Sequence, residues 1–184
     1  MERIQDAALD LFDEHDFDGV TIERIAAAAE VSPSSVYRYF GTKEGIVLHD
    51  RNRAELPELR SPTPDDRPLV EAFRDAVMGF VAQQGDEQST GDRRRVRYLM
   101  EVPSVQEAVP RRMFGGDSTL AQYVARRLGR DADDLEVQVT SGALNGALLG
   151  ALRHWYVSGG HRPFGELLDE TFEALRRGFD LEGT

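Results

Sequence analysis

Apolar residues recur at helical spacing from the start of the chain. Ile4, Ala8, Leu11 and Phe12 follow the i, i+4, i+7, i+8 rule of one helix face, with Asp10, Asp13 and Glu14 on the other, and predict a first amphipathic helix. The run His15-Asp16-Phe17-Asp18-Gly19 has the composition of a turn. Thr21 then stands as the N-cap of a short second helix carrying Ile22, Ile25, Ala26 and Ala29. Ser32-Pro33 is a further start signal, because serine caps exposed backbone N–H groups and proline is tolerated at the first helical position. A third helix therefore begins within three residues of the second. Gly41 ends it, and Thr42 caps a fourth helix running through Lys43, Ile46 and Val47.

Residues 55–69, ELPELRSPTPDDRPL, are rich in proline and charge and read as a junction, which divides the chain into domains 1–54 and 55–184. Everything beyond reads as helical. Val70, Phe73, Val77 and Phe80 form a stripe, and Val96, Leu99 and Met100 share a face of a segment whose Arg93, Arg94, Arg95 and Arg97 make the most basic patch of the chain. That patch suits a solvated face paired with nearby acids better than a nucleic-acid contact. Leu120, Val124 and Leu128 mark another helix, ended by Gly129. Between Leu135 and Ser158, Gly142, Gly146 and Gly150 recur every fourth residue beside Ala143, Ala147 and Ala151, with Leu148, Leu152 and Trp155 adjoining. Each interior glycine costs up to about 1 kcal/mol relative to alanine, so the stripe calls for an offsetting gain such as close approach of another helix. The last helix starts at Pro163; its stripe of Phe164, Leu168, Phe172, Leu175 and Phe179 suits either a monomer core or a dimer seam.

Two short helices joined by so tight a turn have the pattern of a helix-turn-helix, whose second helix enters the DNA major groove. At about 100° per residue, Val36 and Phe40 share the inward face of the third helix. Ser34 and Arg38 lie near the opposite face, and Tyr37 and Tyr39 at the two flanks. Small serines let a helix sit deep in a groove, and hydroxyls donate to phosphate oxygens. Lys43 adds a cation at the start of the next helix, where free N–H groups favour phosphate.

Charge changes the picture twice. The 184 residues carry a formal net charge of -11 and a sequence pI near 4.8, a field that repels polyanions. The acid is unevenly placed, however: residues 1–27 carry eight acids against Arg3 and Arg24, whereas the window from Val31 to Lys43 contains none. Cysteine is absent, which excludes disulfides, thiolate nucleophiles and cysteine metal sites and is consistent with a reducing cytoplasm. No secretory signal opens the chain, and the longest weakly polar run, 140–152, is too short for a bilayer, so a soluble cytoplasmic protein with no membrane partner is expected. His15, His49, His154 and His161 lack ligand spacing, no serine sits in a G-x-S-x-G setting, and no phosphate loop occurs. The expectation is a non-enzyme with no metal and no cofactor.

The run from Thr21 to Arg51, TIERIAAAAEVSPSSVYRYFGTKEGIVLHDR, strongly resembles the DNA-binding region of the TetR (tetracycline-repressor) family of bacterial transcriptional regulators. The match rests on Thr21, Ile25-Ala26, Val31-Ser32 at the turn, Tyr37 to Phe40 and Lys43. The resemblance implies an all-α fold: an N-terminal three-helix helix-turn-helix domain followed by a larger helical dimerisation and ligand-binding domain. Pro33, Ser34 and Ser35 resemble positions that meet base edges, and Tyr37, Tyr39 and Lys43 positions that meet phosphates, with Thr21 clamping the backbone. With Ser32 and Arg38 they form the expected DNA-binding set. Glu30 departs from the family, whose turn usually carries glycine, and the lead-in before Ile4 lacks a basic arm.

The family also implies a homodimer through its last two long helices, here Gly142, Gly146, Gly150, Phe164, Leu168, Phe172 and Leu175. It implies a small effector among the middle helices, for which Phe80, Tyr98, Met100, Met113, Phe114, Tyr123 and Trp155 are candidate lining. Partners would then be double-stranded operator DNA, a second copy and an unidentified small molecule, in a regulator with repression as the default. The rival reading, supported by acidity and Glu30, is a helical ligand-binding or protein-interaction module with weak or vestigial DNA binding.

Overall fold

The computed structural model describes residues 1–49, 66–84, 90–114 and 118–178. Among them are ten helices and no strand, the all-α class expected. In chain order they are α1 (Glu2–His15), α2 (Ile22–Ala28), α3 (Pro33–Phe40), α4 (Lys43–Leu48), α5 (Leu69–Gln84), α6 (Thr90–Glu101), α7 (Pro103–Phe114), α8 (Thr119–Leu128), α9 (Leu135–Val157) and α10 (Phe164–Arg176). The expected boundary at 54/55, residues 55–65 of the junction and Phe179 lie outside the described residues. The chain groups into two compact units: Met1–Arg53 with Gln88–Val109, and Ala54–Glu87 with Pro110–Thr184. Helix α6 thus clusters with the N-terminal helices.

In the first unit the buried stripe of α1 is Ile4, Gln5, Ala8, Leu9 and Phe12, while Leu11, expected on that face, is half-buried. Gln5 is a buried amide with a structural task. Its Nε2 donates to the carbonyls of Ile46 and His49, both at 2.7 Å, satisfying the exposed end of α4 from inside the core. Phe12, Phe17 and Tyr98 form an aromatic cluster, with Phe12 and Tyr98 edge to face at 5.4 Å. Three polar caps set the helix starts. Thr21 accepts from the N–H of Arg24, Ser32 from Ser35 and Thr42 from Gly45.

The second unit has an apolar core built by Phe73 and Val77 of α5, Leu120, Tyr123 and Val124 of α8, Val137 and Leu144 of α9, and Leu168 and Phe172 of α10. Phe73 meets Phe172 edge to face at 5.8 Å. Two residues expected at the dimer seam, Leu168 and Phe172, are 1% and 2% exposed within a single chain, where core partners cover them. Leu175 is partly buried against the same core. Phe164 packs there too and meets Trp155 edge to face at 6.1 Å, while Trp155 donates its Nε1 to the Arg162 carbonyl at 3.0 Å. The glycines of α9 also divide. A Cβ at Gly142 would lie 3.2 Å from the Phe114 ring, so this chain's own side chain occupies that space, whereas a Cβ at Gly146 or Gly150 would meet nothing within 4 Å.

Candidate nucleic-acid interface

Helix α3 owes its presentation to its two ends. The Ser32 hydroxyl caps its start at 3.2 Å from the Ser35 N–H and lies 2.8 Å from the Ser34 hydroxyl and 2.9 Å from that of Ser35, so three hydroxyls cluster at its first turn. At the other end a Cβ on Gly45 would fall 1.9 Å from the Phe40 carbonyl oxygen. Only glycine lets α4 turn away so closely. Val36 is fully buried and anchors the helix, and Phe40 is half-buried and edge to face with His49 at 5.2 Å.

What remains faces solvent. Tyr37 and Tyr39 are each 50% exposed, an unusual degree for tyrosine in a packed protein. Pro33, Ser34 and Arg38 are exposed and Ser35 is half-buried. Arg38 stacks over the Tyr39 ring at 4.8 Å and donates to its hydroxyl at 3.0 Å, which fixes a cation and a phenol side by side. Thr21 is exposed. Lys43 is held in place: its Nζ donates to the Phe17 carbonyl at 2.8 Å and lies over the Phe17 ring. Seven of the nine expected contact residues, Ser32 to Tyr39 without Val36, thus sit on the one short helix and its cap.

The turn ahead of α3 carries strain. Glu30 has φ 54 in the left-handed region, where its N–H bonds the Ala27 carbonyl at 3.1 Å and the next N–H, of Val31, bonds the Ala26 carbonyl at 2.9 Å. A non-glycine residue there costs about 1 kcal/mol. Its carboxylate is met by Arg3, whose Nη2 lies 2.9 Å from Oε2 and 3.3 Å from the Ala29 carbonyl.

A second polar centre escaped the sequence reading. At the end of α1, Asp13 accepts from the Tyr98 hydroxyl at 2.5 Å, pairs with Arg94 at 2.6 Å and bonds Arg97, while Arg94 also reaches Asp10 at 2.9 Å. Two arginines of the basic patch on α6, Arg94 and Arg97, are therefore spent on α1. Burial, and next the bond to Asp13, push the Tyr98 phenol up to about 12. Burial opposes the charge of Asp13, but the Tyr98 bond and the two guanidinium charges outweigh it and hold the carboxyl below its ordinary value.

The expected effector lining is divided between the two compact units. Tyr98 and Met100 belong to the first unit and the other five to the second. Tyr123 and Trp155 are buried in packing, Phe80 lies against the core, Met113 is half-buried and Phe114 is 54% exposed beside Gly142. A groove of about 550 Å³ between α5 and α10 is lined instead by Val70, Glu71, Arg74, Asp169, Glu170, Phe172, Glu173 and Arg176. Among the described residues no helix is long and apolar enough to cross a membrane, and no group of three or more His, Asp or Glu residues converges as a metal site would.

Comparison with known proteins bears on both units. A family model described as bacterial regulatory proteins, tetR family, matches residues 4–49, and one described as the MftR C-terminal domain matches residues 67–180. A Mycobacterium tuberculosis protein named as a transcriptional regulator of mycofactocin biosynthesis, MftR, is 30% identical over 186 aligned residues, covering 98% of this chain and 87% of its own. The HTH-type transcriptional regulator TcmR of Streptomyces glaucescens is 32% identical over 135 residues, 69% of this chain and 59% of TcmR. Among solved structures, Thermus thermophilus FadR, described as a TetR-family transcriptional repressor in complex with lauroyl-CoA, aligns with a TM-score of 0.57 at 22% identity, over 100% of this chain and 96% of that one.

Proposed function

We propose, for a chain that belongs to the TetR family of bacterial transcriptional regulators, that it represses transcription as a homodimer, each protomer laying α3 in the major groove of an inverted-repeat operator, and that a small-molecule effector releases it. The observation that carries the reading is the solvent face of α3: hydroxyls of Ser32, Ser34 and Ser35, the Arg38–Tyr39 pair and a half-exposed Tyr37, in a window without a single acid. Ser34, Ser35 and Pro33 meet base edges in this reading. Tyr37, Tyr39, Thr21 and Lys43 hold phosphates, and Arg38 serves the groove from its stacked position. The functional division is 1–54 for DNA and 55–184 for dimerisation and effector.

The dimer reading draws on α9. Leu135, Val139 and Val157 are exposed apolar residues on the stripe that holds Gly146 and Gly150, where a partner helix has room for close approach. Two recognition helices must sit about 34 to 36 Å apart, or a multiple of a helical turn, to enter successive grooves. An effector that favours a different separation opposes DNA reciprocally. The acidity behind the rival module reading loses force locally, because Arg3 pairs with Glu30 at the one carboxylate beside the turn.

The test is selection from a random double-stranded library at low and near-physiological salt. An inverted repeat that survives the higher salt is expected. Uniform binding that vanishes with salt would mean that α3 reads no sequence. The likeness to MftR makes promoters of mycofactocin biosynthesis genes the first natural targets to assay.

A further inference from the structure

The side chain of Lys43 is already occupied before any DNA arrives. Its Nζ donates to the Phe17 carbonyl at 2.8 Å and stands 4.7 Å from the centroid of the Phe17 ring. Phe17 is itself held, 4.7 Å from Phe12 and 6.3 Å from Tyr98 between centroids, and the Tyr98 hydroxyl is tied to Asp13 at 2.5 Å. An ammonium has three N–H groups. The carbonyl takes one and the ring face attracts another through its quadrupole, which leaves a third for an outside acceptor. Lys43 keeps enough exposure to offer it. A lysine waving in solvent must surrender its rotamer freedom when it meets a phosphate; a seated one has surrendered it beforehand.

We infer that the Phe17 turn is a seat that aims the Lys43 charge at a DNA phosphate, and that Tyr98 of α6 is a positioning residue for that contact, acting through Phe17. The inference rests on the DNA-binding reading above and adds to it two residues that themselves touch no DNA.

Two duplexes serve as probes: the selected operator and, because a phosphate contact carries no sequence information, a scrambled duplex at low salt. Affinity is measured by anisotropy across a salt series. Lys43→Ala lowers the slope of log K against log salt by about 1. Phe17→Leu keeps apolar bulk and the carbonyl but removes the ring face; Tyr98→Phe keeps the ring and removes the hydroxyl. Each is expected to weaken binding about two- to tenfold when Lys43 is present and to change nothing further in the Lys43→Ala background. Because Phe17 is buried, a thermal melt accompanies that variant, and Tyr98→Phe, which preserves the core, carries the test if Phe17→Leu does not fold. The inference is overturned if Tyr98→Phe leaves binding unchanged or tightens it, or if the loss is as large without Lys43 as with it. Wild-type protein that binds neither duplex defeats the DNA-binding reading and the inference together, whereas wild-type binding with purely additive losses defeats the inference alone.

Discussion

Helix α1 is tethered by charge at both ends, in unlike surroundings. Near its start, Arg3 and Glu30 meet at 2.9 Å with side chains 73% and 80% exposed. Near its end, Asp13 and Arg94 meet at 2.6 Å with side chains 33% and 24% exposed, and Arg97 and the Tyr98 hydroxyl join them on the same carboxylate. Water screens the first pair and competes for each partner, so such contacts are worth roughly 0 to 1 kcal/mol. The second is shared among several donors and half-removed from solvent, where a lost acceptor is not replaced cheaply. The distances are similar, so the difference lies in burial and in the number of partners.

The comparison breaks most readily at its stronger end. Asp13→Ala leaves three donors without their acceptor and is expected to cost about 2 kcal/mol, or several degrees of melting temperature at roughly 2–4 °C per kcal/mol for a chain of this size. A melt no lower than that of Arg3→Ala would show that burial does not separate the two tethers. Alkali probes the same centre more gently. The fold holds Tyr98 as the neutral phenol with its value raised to about 12, so its contribution is complete below the ordinary value near 10 and is lost as pH rises through about 12. Tyr98→Phe should flatten that alkaline limb of the stability curve, and an unchanged limb would remove Tyr98 from the account. Asp13 acts with the opposite sign: its contribution is present above the ordinary 3.8 and is lost as pH falls through its lower folded value.

The weaker end gives smaller effects. Glu30→Gly relieves the left-handed backbone and is expected to stabilise by up to about 1 kcal/mol in chemical denaturation, while removing a carboxylate from the turn before α3 and so tightening DNA. A destabilised variant would mean that the pair with Arg3 outweighs the strain. Arg3→Ala should cost about 0.5 kcal/mol or less and lose even that at high salt. A salt-independent loss would instead credit its bond to the Ala29 carbonyl.

Local chemistry was readable from the chain; long-range pairing was not. Thr21, Ser32 and Thr42 cap the helices they precede because a cap needs only a hydroxyl and an N–H three residues on, so that donor and acceptor lie within one tetrapeptide. Asp13 and Tyr98 are 85 positions apart and Gln5 and His49 are 44, so no period or spacing announces either bond. The stripe on α10 named a face that had to be covered without naming its cover. Leu168 and Phe172 turned inward against Phe73 and its neighbours, and α9 kept the open glycines. Aromatic residues drew attention as pocket lining on composition alone, which says nothing of which rings share a cavity. The face of α3 could be traced because a buried Val36 fixes the rotation of every other residue on an eight-residue helix.

Trp155 is the sole tryptophan of the chain, and it is buried beside Phe164 with its indole N–H on the Arg162 carbonyl. Its ultraviolet emission is therefore a built-in gauge of the α9–α10 corner that needs no label. Since cysteine is absent, Ser34→Cys would accept one thiol-reactive dye on α3 and nowhere else. Two colours in one cuvette would then follow the two compact units independently as ligand is titrated.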